Sequence, residues 1–193
     1  MAYTFDPDDL HAIARRAVGL PFDEMVATVI GELDKAYPGH IDMTPEWLFT
    51  TSAGFKGSMA VLYASMSEYL MIFGNPIGTS GFSGRHLVEF HDTMLAGEMW
   101  SYTEENPGTK VVSSPGDRLF LARGKGKMFT IPDGAWMLEY ARGPIATSLP
   151  LALADATLSC GDFPSVGKTF RVYSKLTLRA LRNRRRRETA PGT

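Results

Sequence analysis

The sequence predicts an α+β fold in which an antiparallel sandwich or barrel stands between N-terminal and C-terminal helices. Apolar residues recur at helical spacing before His40, and again after Gly143. Between them, glycine and proline punctuate short strand-like stretches about every ten residues, a rhythm of hairpins rather than of parallel strands joined by crossover helices.

Residues 6–16 and 22–37 are expected as the two leading helices. In the second, Met25, Val26, Val29, Ile30 and Leu33 form one apolar face, and the run Pro38, Gly39, His40 ends it. Residues 47–141 are expected as strands, divided by FGNPIGTSGFSG (73–84), NPGTK (106–110), SPGD (114–117), RGKGK (123–127) and PDG (132–134). SLPLALADATLS (148–159) follows as a short apolar helix with Pro150 in its first turn, where proline is tolerated. A last helix begins near Pro164 and continues into the arginine run. No repeat or linker divides the chain, so residues 1–183 are read as one domain and 184–193 as a basic, disordered tail.

With 193 residues, 44% hydrophobic and 21% charged, the chain can bury a sizeable core. The single cysteine, Cys160, has no internal disulfide partner, and the acidic N-terminus lacks the basic start of a signal peptide, which favours a cytoplasmic, reducing compartment. The longest apolar run, 59–73, is interrupted by Glu68 and is shorter than the roughly 20 residues of a spanning helix.

Charge is unevenly distributed. From Pro164 onward nine basic residues stand against Glu188 alone, a net of +8 that leaves −9 for the remainder. On a helical wheel Lys168, Arg171, Lys175, Arg179 and Arg182 form one stripe, with Val166, Phe170, Tyr173, Thr177 and Leu181 opposite. This is the pattern of a helix on an anionic membrane surface, and equally that of a helix packed on its own barrel with a solvated charged face. Nucleic acid is disfavoured, because the arginines lack interleaved aromatics and the rest of the chain is acidic.

Few chemistries fit. His11, His40, His86 and His91 show no paired metal-ligand spacing, and no cysteine cluster exists, so no metal is expected. GKGK (124–127) lacks the spacing and the Ser or Thr of a phosphate loop and reads as a turn. A serine nucleophile elbow is absent. Carboxylates on apolar strands remain. Two-residue alternation groups Asp92 with Phe90 and Met94, and Glu139 with Met137 and Ala141, while Trp136, Leu138 and Tyr140 face the other way. Alternation alone leaves each acid open to two readings, a solvated or structurally paired group or one buried for its proton. If both point into one barrel, they share a proton near neutral pH, as acid and base catalysis by similar groups requires.

These acids sit within a longer ordered series: AVGLPFDEMVATVIGELDKAYPGH (17–40), WLFTTSAGFKGSM (47–59), ASMSEYLMIFG (64–74), SGRH (83–86), DTMLAG (92–97), PGD (115–117), WMLEYARG (136–143) and LALADA (151–156). With these motifs, from near Phe5 to near Arg182, the chain resembles the family that joins the fungal sterol isomerase, which moves a ring double bond from the delta-8 to the delta-7 position, with the animal sigma non-opioid receptor.

The resemblance implies a cupin-like β-barrel whose two C-terminal helices cover its mouth and lie against a membrane, a homotrimer, and no cofactor or metal. It puts the family's acidic pair at Asp92 and Glu139, the glutamate meeting the cationic amine of bound drugs and the aspartate hydrogen-bonding to the glutamate. Tyr69 is expected beside the pocket and Glu68 in a structural role. Phe55, Met59, Phe90, Met94, Leu121, Ile131 and Met137 are expected to line the pocket, and Phe170, Tyr173, Lys175, Arg179 and Arg182 to meet the membrane. Phe55 and Ile131 stand where the receptor has tryptophans, and Leu121 where it has a histidine. The chain begins close to where the relatives' N-terminal membrane helix ends, an observation that suggests a bacterial source and an isoprenoid substrate other than a sterol.

The expected function is that of an acid/base enzyme protonating an alkene of an apolar isoprenoid, sterol-like or terpenoid, with double-bond isomerisation or proton-initiated cyclisation as outcomes. The alternative is a receptor-like, non-enzymatic binder of hydrophobic or cationic amphiphilic ligands. Expected partners are that small molecule and an anionic membrane surface reached by the C-terminal helices, with a location that is cytoplasmic or peripheral on the cytoplasmic face of a membrane.

Overall fold

The computed structural model describes residues 3–189. Helix α1 (Pro7–Arg15) starts where Asp6 Oδ1 accepts the Asp8 N–H at 2.8 Å, and Asp8 and Asp9 stand at the positive end of the helix dipole. Helix α2 (Phe22–Ala36) buries Met25, Val29, Ile30 and Leu33, the face its spacing predicts. Both helices pack on Leu70, Ile72, Leu95, Leu138 and Tyr140, the outer face of a sheet.

The strands are β1 (Trp47–Ser52), β2 (Phe55–Ala64), β3 (Glu68–Asn75), β4 (Thr79–Phe82), β5 (Glu89–Gly97), β6 (Met99–Thr103), β7 (Val111–Ser113), β8 (Arg118–Leu121), β9 (Lys127–Ile131) and β10 (Ala135–Arg142). All pair antiparallel, in a six-stranded sheet of order β1-β2-β3-β10-β5-β8 and a four-stranded sheet of order β4-β9-β6-β7. The fold is α+β, an antiparallel barrel flanked by helices. In RGKGK only the first part turns, and Lys127 already opens β9.

One irregularity sets which side chains point inward. Between β5 and β10 the register shifts at Trp136/Met137, so that Trp136 faces Ala96 while Met137 faces Met94. Leu95 and Ala96 therefore both turn to the outer helices, and Met94, Asp92 and Phe90 regain the inner side. Gly97 ends the strand at φ +73°, where a Cβ would overlap the Gly134 carbonyl oxygen.

After β10 the chain crosses the barrel mouth. A 3-10 turn (Ile145–Thr147), helix α3 (Leu149–Ala154) and a π-helical turn (Asp155–Ser159) lead into α4 (Phe163–Thr189). Asp155 Oδ2 accepts the Gly54 N–H at 2.8 Å, tying this lid to the β1–β2 hairpin. Helix α4 buries Val172 and Leu176 against Val61, Tyr69, Val88 and Ala141. Its backbone stays helical over 184–189, where a disordered tail is expected; residues 190–193 and the side chains of Arg185, Arg186 and Arg187 lie outside the described residues. Among the described residues no helix is long and apolar enough to cross a membrane.

Candidate active site

Asp92 on β5 and Glu139 on β10 face each other directly in the ladder, 7% and 8% exposed. Opposed residues of an antiparallel pair hold their Cβ atoms about 5 Å apart. Tyr69, on β3 along the other edge of β10, donates its hydroxyl to Glu139 Oε1 at 2.7 Å. The ring of Tyr173 from α4 closes on Tyr69 edge-on, at 6.1 Å between centroids. Asp92 Oδ1 is buried and has no hydrogen-bond partner among the described residues. Two ionised carboxylates are both acceptors, so the hydrogen bond that the resemblance implies from the aspartate to the glutamate requires a proton on one of them.

The electrostatics follow from burial. Loss of hydration pushes Glu139 up to about 8; the Asp92 charge pushes the same way, and the Tyr69 hydrogen bond and Lys127 charge partly oppose. Burial also pushes Asp92 up, to about 6, against the opposing charge of Lys127. Two acids so placed lose their protons in separate steps, so around neutral pH the pair holds one proton and one negative charge. Burial, and then the charge of Glu139, holds the Tyr69 hydroxyl well above its ordinary range, so it remains a donor.

The pair opens into a cavity of about 190 Å³. Of the predicted lining residues, Phe55, Met59, Tyr69, Phe90, Leu121 and Met137 do line it, with Asp92 and Glu139. Met94 and Ile131 do not: they pack with Phe55, Met99, Leu119, Ala135 and Met137 in a closed cluster. Glu68, 2% exposed, lies on the outer side, where it accepts from the Thr4 N–H at 2.8 Å and the Tyr140 hydroxyl at 2.7 Å and pins the N-terminal segment to the barrel.

The membrane-facing set divides. Tyr173 points into the cavity rather than outward. Lys175 pairs with Asp42 at 3.3 Å, Arg171 with Glu46 at 2.6 Å, and Arg179 donates to the Gly39 carbonyl at 3.2 Å, so this part of the basic stripe lies along the acidic segment before β1. Phe170 stays exposed, in line with Phe163, Leu178 and Leu181, and Arg182 is also exposed. Sequence reasoning missed Lys127 and the lid residues of the cavity. The alternation of Lys127, Phe129 and Ile131 carries the signal for the first. Among the described residues no group of three or more His, Cys, Asp or Glu side chains is placed to hold a metal ion.

An antiparallel barrel that buries two opposed carboxyls in an apolar cavity under a helical lid has the groups that proton chemistry, or charge recognition, on a hydrophobic molecule would need. The family model described as "ERG2 and Sigma1 receptor like protein" matches residues 1–185, and the chain belongs to that family. It is 35% identical to sigma non-opioid intracellular receptor 1 of Taricha granulosa over 179 residues, 92% of this chain and 80% of the relative. It is 36% identical to the C-8 sterol isomerase erg2 of Aspergillus fumigatus over 189 residues, 95% of this chain and 78% of the relative. Among solved structures, an RmlC-like cupin from Shewanella frigidimarina is similar over 52% of this chain and 85% of its own, at 14% identity and a TM-score of 0.44, a likeness too loose to bear on chemistry.

Proposed function

We propose that the protein is an acid/base isomerase that shifts a carbon–carbon double bond in an apolar, sterol-like or other isoprenoid substrate. The observation that carries this reading is the pair of carboxyls, directly opposed and buried in an apolar cavity, where burial pushes both acids up and favours one shared proton near neutral pH. The protonated member gives its proton to one alkene carbon, and the adjacent carbon becomes cationic. The carboxylate and the face of Tyr69 stabilise that cation. A proton then leaves a neighbouring carbon for the ionised carboxylate. The double bond has moved, the pair again holds one proton, and no other reactant is consumed. Kinship with a C-8 sterol isomerase supports isomerisation over cyclisation.

A second reading has its own support. The chain is just as similar to sigma non-opioid receptors, which supports a cavity that only binds a hydrophobic or cationic amphiphilic ligand. Incubation with sterol and polyprenyl candidates in deuterated water separates the two. Deuterium in an isomerised product, lost in Glu139→Gln and Asp92→Asn, is the expected result. Saturable binding with no exchange into any candidate would overturn the enzyme reading.

The exposed row Phe163, Phe170, Leu178 and Leu181, with Arg182 beside it, is the surface proposed to meet an anionic membrane. A homotrimer is the proposed assembly, which sedimentation velocity reads directly.

A further inference from the structure

Lys127 is the one cation lining the cavity, among the described residues. Alternation along β9 sends Lys127 and Phe129 inward, while Met128 is 44% exposed on the other side. The position is fixed by main-chain bonds at both ends. The Lys127 N–H donates to Ser83 Oγ at 2.9 Å, and the Lys127 carbonyl accepts from the Ser83 N–H at 3.0 Å. Gly126 just before it lies flat on the Phe82 ring, where a Cβ would come within 2.7 Å.

Its neighbours behave differently. Lys125 points outward and pairs with Glu105 at 2.7 Å, and Arg85 pairs with Glu104 at 2.6 Å. Lys127 is half-buried and has no acidic partner within 4 Å among the described residues, so its charge is uncompensated by contact. The acids that share its cavity are Asp92, Glu139 and Asp162; His86, Tyr69 and Tyr173 are the remaining titratable groups that line it. Asp162 sits in the lid and accepts the Ser165 N–H at 3.1 Å.

We infer that Lys127 is a specificity-determining residue of this cavity: its ammonium, lining the same space as the Asp92 and Glu139 carboxyls, offsets their negative charge and selects neutral ligands over cationic ones. A carboxyl pair carrying negative charge attracts any hydrophobic cation; the Lys127 ammonium offsets that charge in the barrel, Asp162 standing apart in the lid with its bond to the Ser165 N–H, so a ligand that arrives charged gains less for its lost hydration. A cation generated after binding is treated differently. Lys127 holds both carboxyls below the values burial alone would give, which makes the donor a stronger acid, while Glu139 lines the cavity where the transient charge would form. The inference rests on the reading of the cavity as a ligand site.

The test uses three probes with one decyl chain, decyltrimethylammonium, decanol and decanoate, titrated calorimetrically below their micelle concentrations into the native protein and Lys127→Met. Removal of one charge at medium range in a site of intermediate dielectric is expected to tighten the ammonium about tenfold, weaken decanoate by a similar factor and leave decanol within about twofold. Lys125→Met is the control and leaves all three unchanged. An ammonium-to-decanoate ratio equal in native protein and Lys127→Met overturns the inference. Infrared titration of the carboxyl bands without ligand tests it separately from the cavity reading, because Lys127→Met must raise the pair's titration. An unmoved titration overturns the charge balance, whereas a raised one with no probe bound by either protein upholds the balance and refutes the cavity as a ligand site.

Discussion

Replacing Glu139 by glutamine should stabilise the protein while abolishing turnover, and the stabilisation should grow with pH. Glu139 has an ordinary value of 4.5 and a folded value of about 8. Its folded carboxyl therefore binds the proton more tightly than the unfolded one. Stability is fully present below about pH 4.5 and is lost as pH rises through the interval to about 8. Each unit of that interval removes about 1.4 kcal/mol, so at pH 7 the wild-type protein carries a deficit on the order of 3 kcal/mol. The amide has no charge to desolvate. It keeps an acceptor for Tyr69 Oη and gains N–H donors beside Asp92, whose Oδ1 lacks a partner. Urea unfolding followed by circular dichroism at half-unit steps from pH 4.5 to 8.5 reads the difference directly. Glu139→Gln and wild type should converge near pH 4.5 and diverge steadily above it. A difference that is constant across this range, or a variant less stable than wild type at pH 8, would refute the assignment of Glu139 as a buried acid held protonated by its surroundings.

Three further outcomes follow from neighbouring contacts. Tyr69→Phe removes a hydrogen bond to an ionised carboxylate worth about 1.5–3 kcal/mol, so the Glu139 titration should rise by about one to two units, and an infrared carboxyl band that does not move would contradict the pairing. Glu68→Ala leaves the Thr4 N–H without its acceptor and the Tyr140 hydroxyl with only the longer Phe5 carbonyl contact at 3.4 Å, at a cost of about 3 kcal/mol, or about 10 °C in Tm, and a melting shift under about 2 °C would show that Glu68 does not hold the N-terminal segment. The double change Phe170→Ser and Leu178→Ser should reduce flotation with anionic vesicles about tenfold with Tm unchanged, because both side chains are exposed; equal recovery of both forms removes the membrane proposal.

The helices and the barrel class were readable because local chemistry and tertiary packing agree. Asp6 caps α1 as a short polar residue before an apolar spacing should, and α2 buries the four residues its period selects. Alternation grouped Asp92 with Phe90 and Met94 and Glu139 with Met137 but left burial open, and the resemblance chose it; the grouping of Asp92 with Met94 holds because the bulge at Leu95 lies beyond Met94, and a bulge two residues earlier would have reversed it. The membrane set failed in part for a different reason. A helical wheel finds two faces without saying what meets them, and Asp42, Glu46 and the Tyr69 ring, all distant in sequence, took Lys175, Arg171 and Tyr173 for the body of the protein. Met94 and Ile131 face inward as expected, yet the space between the sheets there is filled by Met99 and Leu119 rather than left open, which no one-dimensional pattern reports. Lys127 was hidden by its setting, since three glycine- and lysine-rich positions before it read as a turn that ends one residue sooner.

Because Asp92 and Glu139 belong to adjacent strands of one sheet, the gap between them is set by the spacing of main-chain hydrogen bonds and not by any loop. The machinery that handles the proton is thus mechanically insulated from the parts that admit a ligand. Segments such as α3 and the π-helical turn, held to the hairpin by the Asp155 bond to Gly54, can be exchanged or loosened without detuning the acid pair. A graft of a different lid onto this barrel would change which molecule enters and leave the spacing of the two carboxyls as it is.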